Sequence, residues 1–454
     1  MNPRHRLPKT RRPWTSAIVG MALALALLVG ACSQPEEAAA PEEAPVEIAQ
    51  VTYMSDGSAV VNSEGKALGT VVFPNSCDPA AQEHLEQGLA LLHHMTYVKA
   101  EPAFHAAAEA DPECALAHWG IAMTYVHPLW PDVVPPEKLA AGREILAQAA
   151  NAAHSSDREK GYIEALQAYY GSEGDESSER ERLLAFQAAW HEVHETNPED
   201  PEAALFYALS LLGTASPSDK SYDNQREAGA ITTAVLEAVP KHPGAHHYTI
   251  HAYDFPPLAE DAITIARSYD DVAPENSHAL HMTSHIFTRR GLWPESIEFN
   301  IRASNAANER TPSGMISMHK LHALDYLAYA YLQMADDVEA EEVLDAMEAL
   351  EPPFQNHAGT AYSFAAVPAR IALERHAWDE AAAVSAAWPS DVPWDQYPHL
   401  LAIPFFAQAM GAARTGDFEA AEAAIAKLTE LEQGARNLPG AYDWGIQVEI
   451  QKLA

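Results

Sequence analysis

From Cys77 to the end of the chain, apolar residues recur three and four positions apart, alanine is dense, and the breaks fall at proline or glycine. That period predicts helix nearly everywhere and an all-α domain over 77–454. The stretch 130–240 carries the same signal with an irregular spacing. Upstream the pattern changes. "SDGSAVVNSEGKALGTVVF", Ser55 to Phe73, has glycine turns and short β-branched runs, which predict a hairpin or extended cover over 55–76. "SQPEEAAAPEEAPVEIAQ", Ser33 to Gln50, has too little apolar content to fold, so 32–54 reads as a disordered acidic tether. The first 31 residues open with Arg4, Arg6, Lys9, Arg11 and Arg12 and no acid, then turn apolar through "AIVGMALALALLVGA". That run falls short of the ~20 residues a spanning helix needs, so 1–31 reads as an export signal rather than an anchor helix.

The helical region repeats. Gly88, Ala100, Phe104, Ala107 and Pro112 are spaced by 12, 4, 3 and 5 residues. Ala262, Ala266, Tyr269 and Pro274 repeat the last three offsets, as do Ala340, Leu344, Met347 and Pro352. "RTGDFEAAEAAIAKL" supplies a fourth unit with Gly416, Ala421, Ile425 and Leu428. This spacing resembles the tetratricopeptide repeat, a helix–turn–helix unit. One such pair cannot bury its apolar face alone. The resemblance therefore implies an α-solenoid superhelix of antiparallel helix pairs, with the first helix of each pair lining the concave side and degenerate units over 130–240. Longer phrases, "AHWGIAMTYVHPLW", "HPGAHHYTIHAYD", "SHALHMTSHIFTRRG" and "HALDYLAYAYLQ", resemble a bacterial family of tetratricopeptide-repeat lipoproteins of unassigned chemistry. Its members carry further helices beyond "QVEIQKLA", so the last helix here is either a cap or the end of a truncated chain. "VGAC", Val29 to Cys32, resembles a bacterial lipobox. It implies cleavage before Cys32, lipidation of that thiol, and a periplasm-facing protein tethered to the membrane of the cell envelope.

Charge narrows the function. The chain carries 28 Lys and Arg against 64 Asp and Glu, a net −36, and loss of the five signal cations takes it to −41. Phosphate backbones need cations, so nucleic-acid binding is excluded; metal ions and cationic partners are favoured. Cys77 and Cys114 remain beside Cys32. In an oxidising compartment they either pair, closing a loop worth roughly 3–4 kcal/mol, or stay as two small buried thiols. Nucleotide-loop, serine-elbow, H-E-x-x-H and C-x-x-C motifs are missing from the sequence.

The chemistry concentrates in histidine. His278, His281 and His285 lie at i, i+3 and i+7, on one helix face. His247 and His251 precede His281 and His285 by 34 residues, one repeat length. Counted from Pro274, these fall at positions that resemble the groove-facing fifth and ninth of a tetratricopeptide unit, with His278 second and Asp254 twelfth. Counted from Pro352, the third unit starts near Leu321, which puts His322 second, Asp325 fifth and Tyr329 ninth. The expected ladder is thus His247, His281, Asp325 beside His251, His285, Tyr329, with His278 and His322 above and His246 and His319 flanking. Neutral imidazoles four apart can share a metal, and a carboxylate can complete the site. The expected ligand set is His247, His251, His278, His281, His285, His322 and Asp325, and the ion Zn, Cu, Ni or Fe. His246, Asp254, His319 and Tyr329 are expected around it.

The competing readings are a metal-free scaffold that grips a partner's peptide in the same concave groove, and a metal-dependent hydrolase or oxidoreductase. His93, His94 and His127 read as core or rim, and Trp119, Tyr125 and Trp130 as stacking core. Arg289 and Arg290 suit the C-terminal dipole of their helix.

Overall fold

A computed structural model describes residues 59–454 except 131–132, 308–310, 312 and 440–441, all within one compact unit. The expectations for the signal, Cys32 and the tether fall outside the described residues. Strands β1 (Val60–Val61) and β2 (Ala67–Gly69) pair antiparallel. Asn62 closes their turn by accepting from the backbone N–H groups of Glu64 and Lys66. Gly69 ends the hairpin at φ +96°, where a Cβ would lie 2.6 Å from Val272 and 2.7 Å from the Lys241 carbonyl, so only glycine fits. Leu68, Val71 and Phe73 then enter the core.

The other named elements among the described residues are helices, and the tetratricopeptide-like, all-α solenoid is seen directly. The helices are α1 (Gln82–His93), α2 (Tyr97–Ala110), α3 (Ala115–Met123), α4 (Pro136–Asn151), α5 (Asp157–Tyr170) and α6 (Glu179–Thr196). They continue with α7 (Pro201–Thr214), α8 (Asp223–Ala238), α9 (Pro243–Tyr253), α10 (Ile263–Ser268), α11 (Ser277–Arg290) and α12 (Trp293–Ala306). The last are α13 (Met318–Gln333), α14 (Asp337–Glu348), α15 (Ala358–Glu374), α16 (Trp378–Ala383), α17 (Pro398–Thr415), α18 (Phe418–Arg436) and α19 (Trp444–Leu453). Among the described residues, none is long and apolar enough to cross a membrane. Local sequence marks their ends. Capping boxes at Ser156/Glu159 and Ser178/Glu181 start α5 and α6, prolines open α4, α7, α9 and α17, and left-handed Gly291 and Gly416 stop α11 and α17.

Successive helices pack as antiparallel neighbours, and the odd-numbered ones touch each other as an inner layer. The repeat residues explain the closeness. Phe104 is fully buried between Gly88 and Gly120, where added Cβ atoms would come within 2.9 and 2.2 Å of its ring. The first nine helices depart from an open solenoid. One core runs from Leu68 to Ala252, built around Trp119, Tyr162, Trp190 and Phe206. Helix α1 contacts both α3 and α9, so this half closes on itself. A disulfide between Cys77 and Cys114 ties the approach to α1 to the start of α3. Later helices bury smaller, separate cores.

Candidate metal centre

Helices α9, α11 and α13 lie side by side in the inner layer. Each starts from a defined cap: Pro243 in the first turn of α9, the Asn276 side chain for α11, the Ser317 side chain for α13. These caps fix which residues face inward. They are His247 and His251 on α9, His278, His281 and His285 on α11, and His319, His322 and Tyr326 on α13. Their rings touch in sequence. His247 lies 4.9 Å from His251 and from His278, and His278 4.8 Å from His319. His281 lies 4.4 Å from His322, 4.7 Å from Tyr326 and 4.9 Å from His285.

The tautomers can be read from the partners. His281 Nδ1 is 2.8 Å from Asn300 Oδ1, and Asn300 Nδ2 donates to the Ser296 carbonyl at 2.8 Å, which fixes the amide orientation. His281 Nδ1–H is therefore the donor. His285 Nδ1 donates to Asp254 Oδ2 at 2.9 Å, while Arg289 Nε holds Asp254 Oδ1 at 2.8 Å. With both Nδ1 atoms engaged, the two Nε2 atoms face each other at 3.1 Å. His322 brings a third nitrogen, and the three ligand atoms lie within 4.8 Å of one another.

Burial favours the neutral form of His247, His251, His278, His281, His319 and His322. It pushes His251, His319 and His322 down to about 3, helped by His285 beside His251 and His322 and by His357 beside His319. His247, His278 and His281 lie well below the usual histidine range for the same first cause, reinforced by neighbouring imidazoles. Burial acts upward on Asp254, but His285 and Arg289 together hold its carboxyl below the usual range. A negative second partner on Nδ1 and a bare Nε2 is the arrangement that orients an imidazole for a metal.

Several expected residues lie elsewhere. Asp325 is 3% exposed, but its carboxylate pairs with Arg370 at 2.6 Å and does not join the histidines. Tyr329 packs against Trp293 and the Arg370 guanidinium. The register on α13 was counted from Leu321, whereas the helix starts at Met318, and the face toward α11 carries Tyr326 instead. The rungs also match only in part. His247 meets His278 rather than its 34-residue counterpart His281, whereas His251 does lie beside its counterpart His285, at 6.3 Å. His246 points away, stacked on Tyr269 at 5.5 Å with Nδ1 donating to the His242 carbonyl. His247 is anchored by donating Nδ1–H to the His93 carbonyl at 2.6 Å, and Gly244 leaves the space that the His93 ring fills. Arg289, read as a dipole partner, braces Asp254.

A second buried group was not legible as a unit. Glu202 accepts from His93 Nε2 at 2.7 Å and His242 Nε2 at 2.9 Å, and all three are fully buried. Burial acts upward on the Glu202 carboxyl, but the two imidazoles hold it down at about 2. Both ring nitrogens already donate to the carboxylate, so this is a closed structural network. Cys77, Cys114 and Asp111 also converge, but the two sulfurs are joined to each other.

A cavity of about 290 Å³ opens beside the histidines. His251, His278, His285 and His322 form one side, and Leu129, Trp130, Met282, Met318, Leu400 and Trp444 most of the rest. A second cavity of about 280 Å³ shares Trp130 and His357 with it.

No family model matches the chain, and no curated relative does. Solved structures similar to it include the human IFIT1 dimer with PPP-AAAA (13% identity, TM-score 0.32, 78% of this chain and 91% of that one). The Cut9–Hcn1 hetero-tetramer of APC/C is similar over 82% of this chain and 73% of the other, at 13% identity and TM-score 0.34. Yeast Tom70 covers 83% and 88%, at 11% identity and TM-score 0.32. Likeness at this level carries no functional argument, and the repeat fold stands on the helix pairing itself.

Proposed function

We propose that this is a transition-metal-binding protein of the bacterial cell envelope, with His281, His285 and His322 as ligands. One observation carries the reading: two Nε2 atoms face each other at 3.1 Å, with both Nδ1 atoms held by Asn300 and Asp254. Two imidazole nitrogens at that separation need a cation between them, a proton or a metal ion. The third converging nitrogen of His322 suits a metal rather than a shared proton. Three imidazoles with a carboxylate behind one of them suit Zn, Cu, Ni or Fe. Three protein ligands leave a coordination position open, and His285 and His322 also line the cavity. The repeat scaffold suits protein binding in general, but His281 is 1% exposed and His278 6%, too enclosed to lie along a bound peptide.

The test is elemental analysis of protein purified without a metal-affinity tag. One ion per chain is expected, lost in the His281→Ala, His285→Ala double variant. A folded wild-type chain that holds no metal above background, even after incubation with Zn(II), refutes the reading. Export and lipidation rest on the Arg4 to Cys32 pattern, and the Cys77–Cys114 bridge supports an oxidising compartment. Metabolic labelling with a clickable fatty acid should mark the protein, and Cys32→Ala should abolish the label.

A further inference from the structure

The chamber beside the histidines has an unusual wall. Among the described residues, no Lys, Arg, Asp or Glu lines it. Its polar face is mostly imidazole nitrogens, several of which lack any protein partner: Nε2 of His251, both nitrogens of His278, and Nδ1 of His322. A buried imidazole with two unmatched nitrogens is costly unless something else meets them. The remaining wall is apolar, with Trp130, Trp444, Met282 and Met318 beside Leu129 and Leu400, and its indole and thioether surfaces favour a flat ring. At 290 Å³ the space equals that of about ten waters, each taking ~30 Å³ of liquid. A compact organic molecule fills it.

Resting on the metal reading above, we propose that this chamber binds a small aromatic monoanion. Its oxygen takes the open coordination position, its ring lies on the Trp–Met wall, and the free imidazoles of His251 and His278 meet its remaining polar atoms. Since no Lys, Arg, Asp or Glu lines the wall among the described residues, the bound metal supplies the charge that meets the anion, and a single carboxylate on the ligand suits it better than two.

The experiment uses the full chain loaded with Co(II), whose visible d–d bands report the inner coordination sphere, titrated with benzoate and with acetate. Both carry the same carboxylate, and only benzoate carries the ring. Benzoate should perturb the bands and bind at least about tenfold more tightly than acetate, the equivalent of one good aromatic contact. Ala358→Trp, which fills the chamber away from the ligands, should keep the cobalt bands and lose the benzoate response; Leu400→Trp is the second blocking variant should Ala358→Trp lose cobalt. Equal response to benzoate and acetate, no response, or a response that survives the blocking variant overturns the inference alone. Failure to take up cobalt overturns the metal reading and this inference together.

Discussion

His94 gives the sharpest quantitative test of the folded core. It is fully buried, with Nε2–H donating to the Leu68 carbonyl at 3.0 Å and Nδ1 accepting from the Tyr269 hydroxyl at 2.8 Å. The neutral ring satisfies both partners, whereas protonation would turn an N–H against the donating hydroxyl. Burial, opposed by the Leu68 bond, pushes this histidine down to about 3, and burial brings His246 to about 4. Both ordinary values lie near 6.5. Between the folded and ordinary values the unfolded chain binds more protons than the folded one, so stability falls as pH drops through 6.5 and the loss is complete only near the folded value. At pH 5 each ring costs about 2 kcal/mol relative to neutral pH, and the pair about 4 kcal/mol. Urea unfolding of the full chain at pH 7 and pH 5, with chelator present, measures the difference. His94→Gln keeps both hydrogen bonds through its amide and cannot titrate. Its pH 7-to-5 loss should be smaller than that of the wild type by about 2 kcal/mol, whatever its absolute stability. An identical loss in the two proteins would refute the reasoning.

Three further outcomes are expected. Asp254→Asn removes the carboxylate behind His285 and should weaken metal binding by about 10–100-fold while the circular dichroism stays unchanged; competition with a chromophoric chelator reads it. Replacing Cys77 and Cys114 by alanine opens a closure of 37 residues and should lower stability by about 4 kcal/mol, measured as a shift in denaturant midpoint. Arg370→Met strands the Asp325 carboxylate, which is buried and paired only with that guanidinium, and should cost about 3–5 kcal/mol. Asp325→Asn in the same background should recover part of it.

The fold was largely legible because its signals are local. Phe104 needs small residues where helices cross, and Gly88, Ala100 and Ala107 announce the crossing at fixed spacings. The histidines of α11 share a face by period alone, so His281 and His285 were identified from one short stretch. What failed depended on where a helix starts. Counting α13 from a distant proline rather than from the Ser317 cap kept His322 on the inward face but put Asp325 and Tyr329 beside it where Tyr326 stands. What could not be seen lies on other helices. Asn300, which sets the tautomer of His281, is on α12, the second helix of its pair, and carries no groove signature. Glu202 and His93 meet across 109 residues, and no spacing rule links them.

The contact of α1 with α9 has a consequence for how the protein folds. In a nearest-neighbour array, each repeat is added independently, and terminal units can be trimmed with proportionate loss. Here the carbonyl of His93 holds His247 across 154 residues, so the histidine face is braced by the first helix of the array. Such a contact forms only after a long loop has closed, a slow step relative to helix pairing. The α9 face beside the proposed site is therefore completed late, after the ligand helices α11 and α13 have formed their own local contacts.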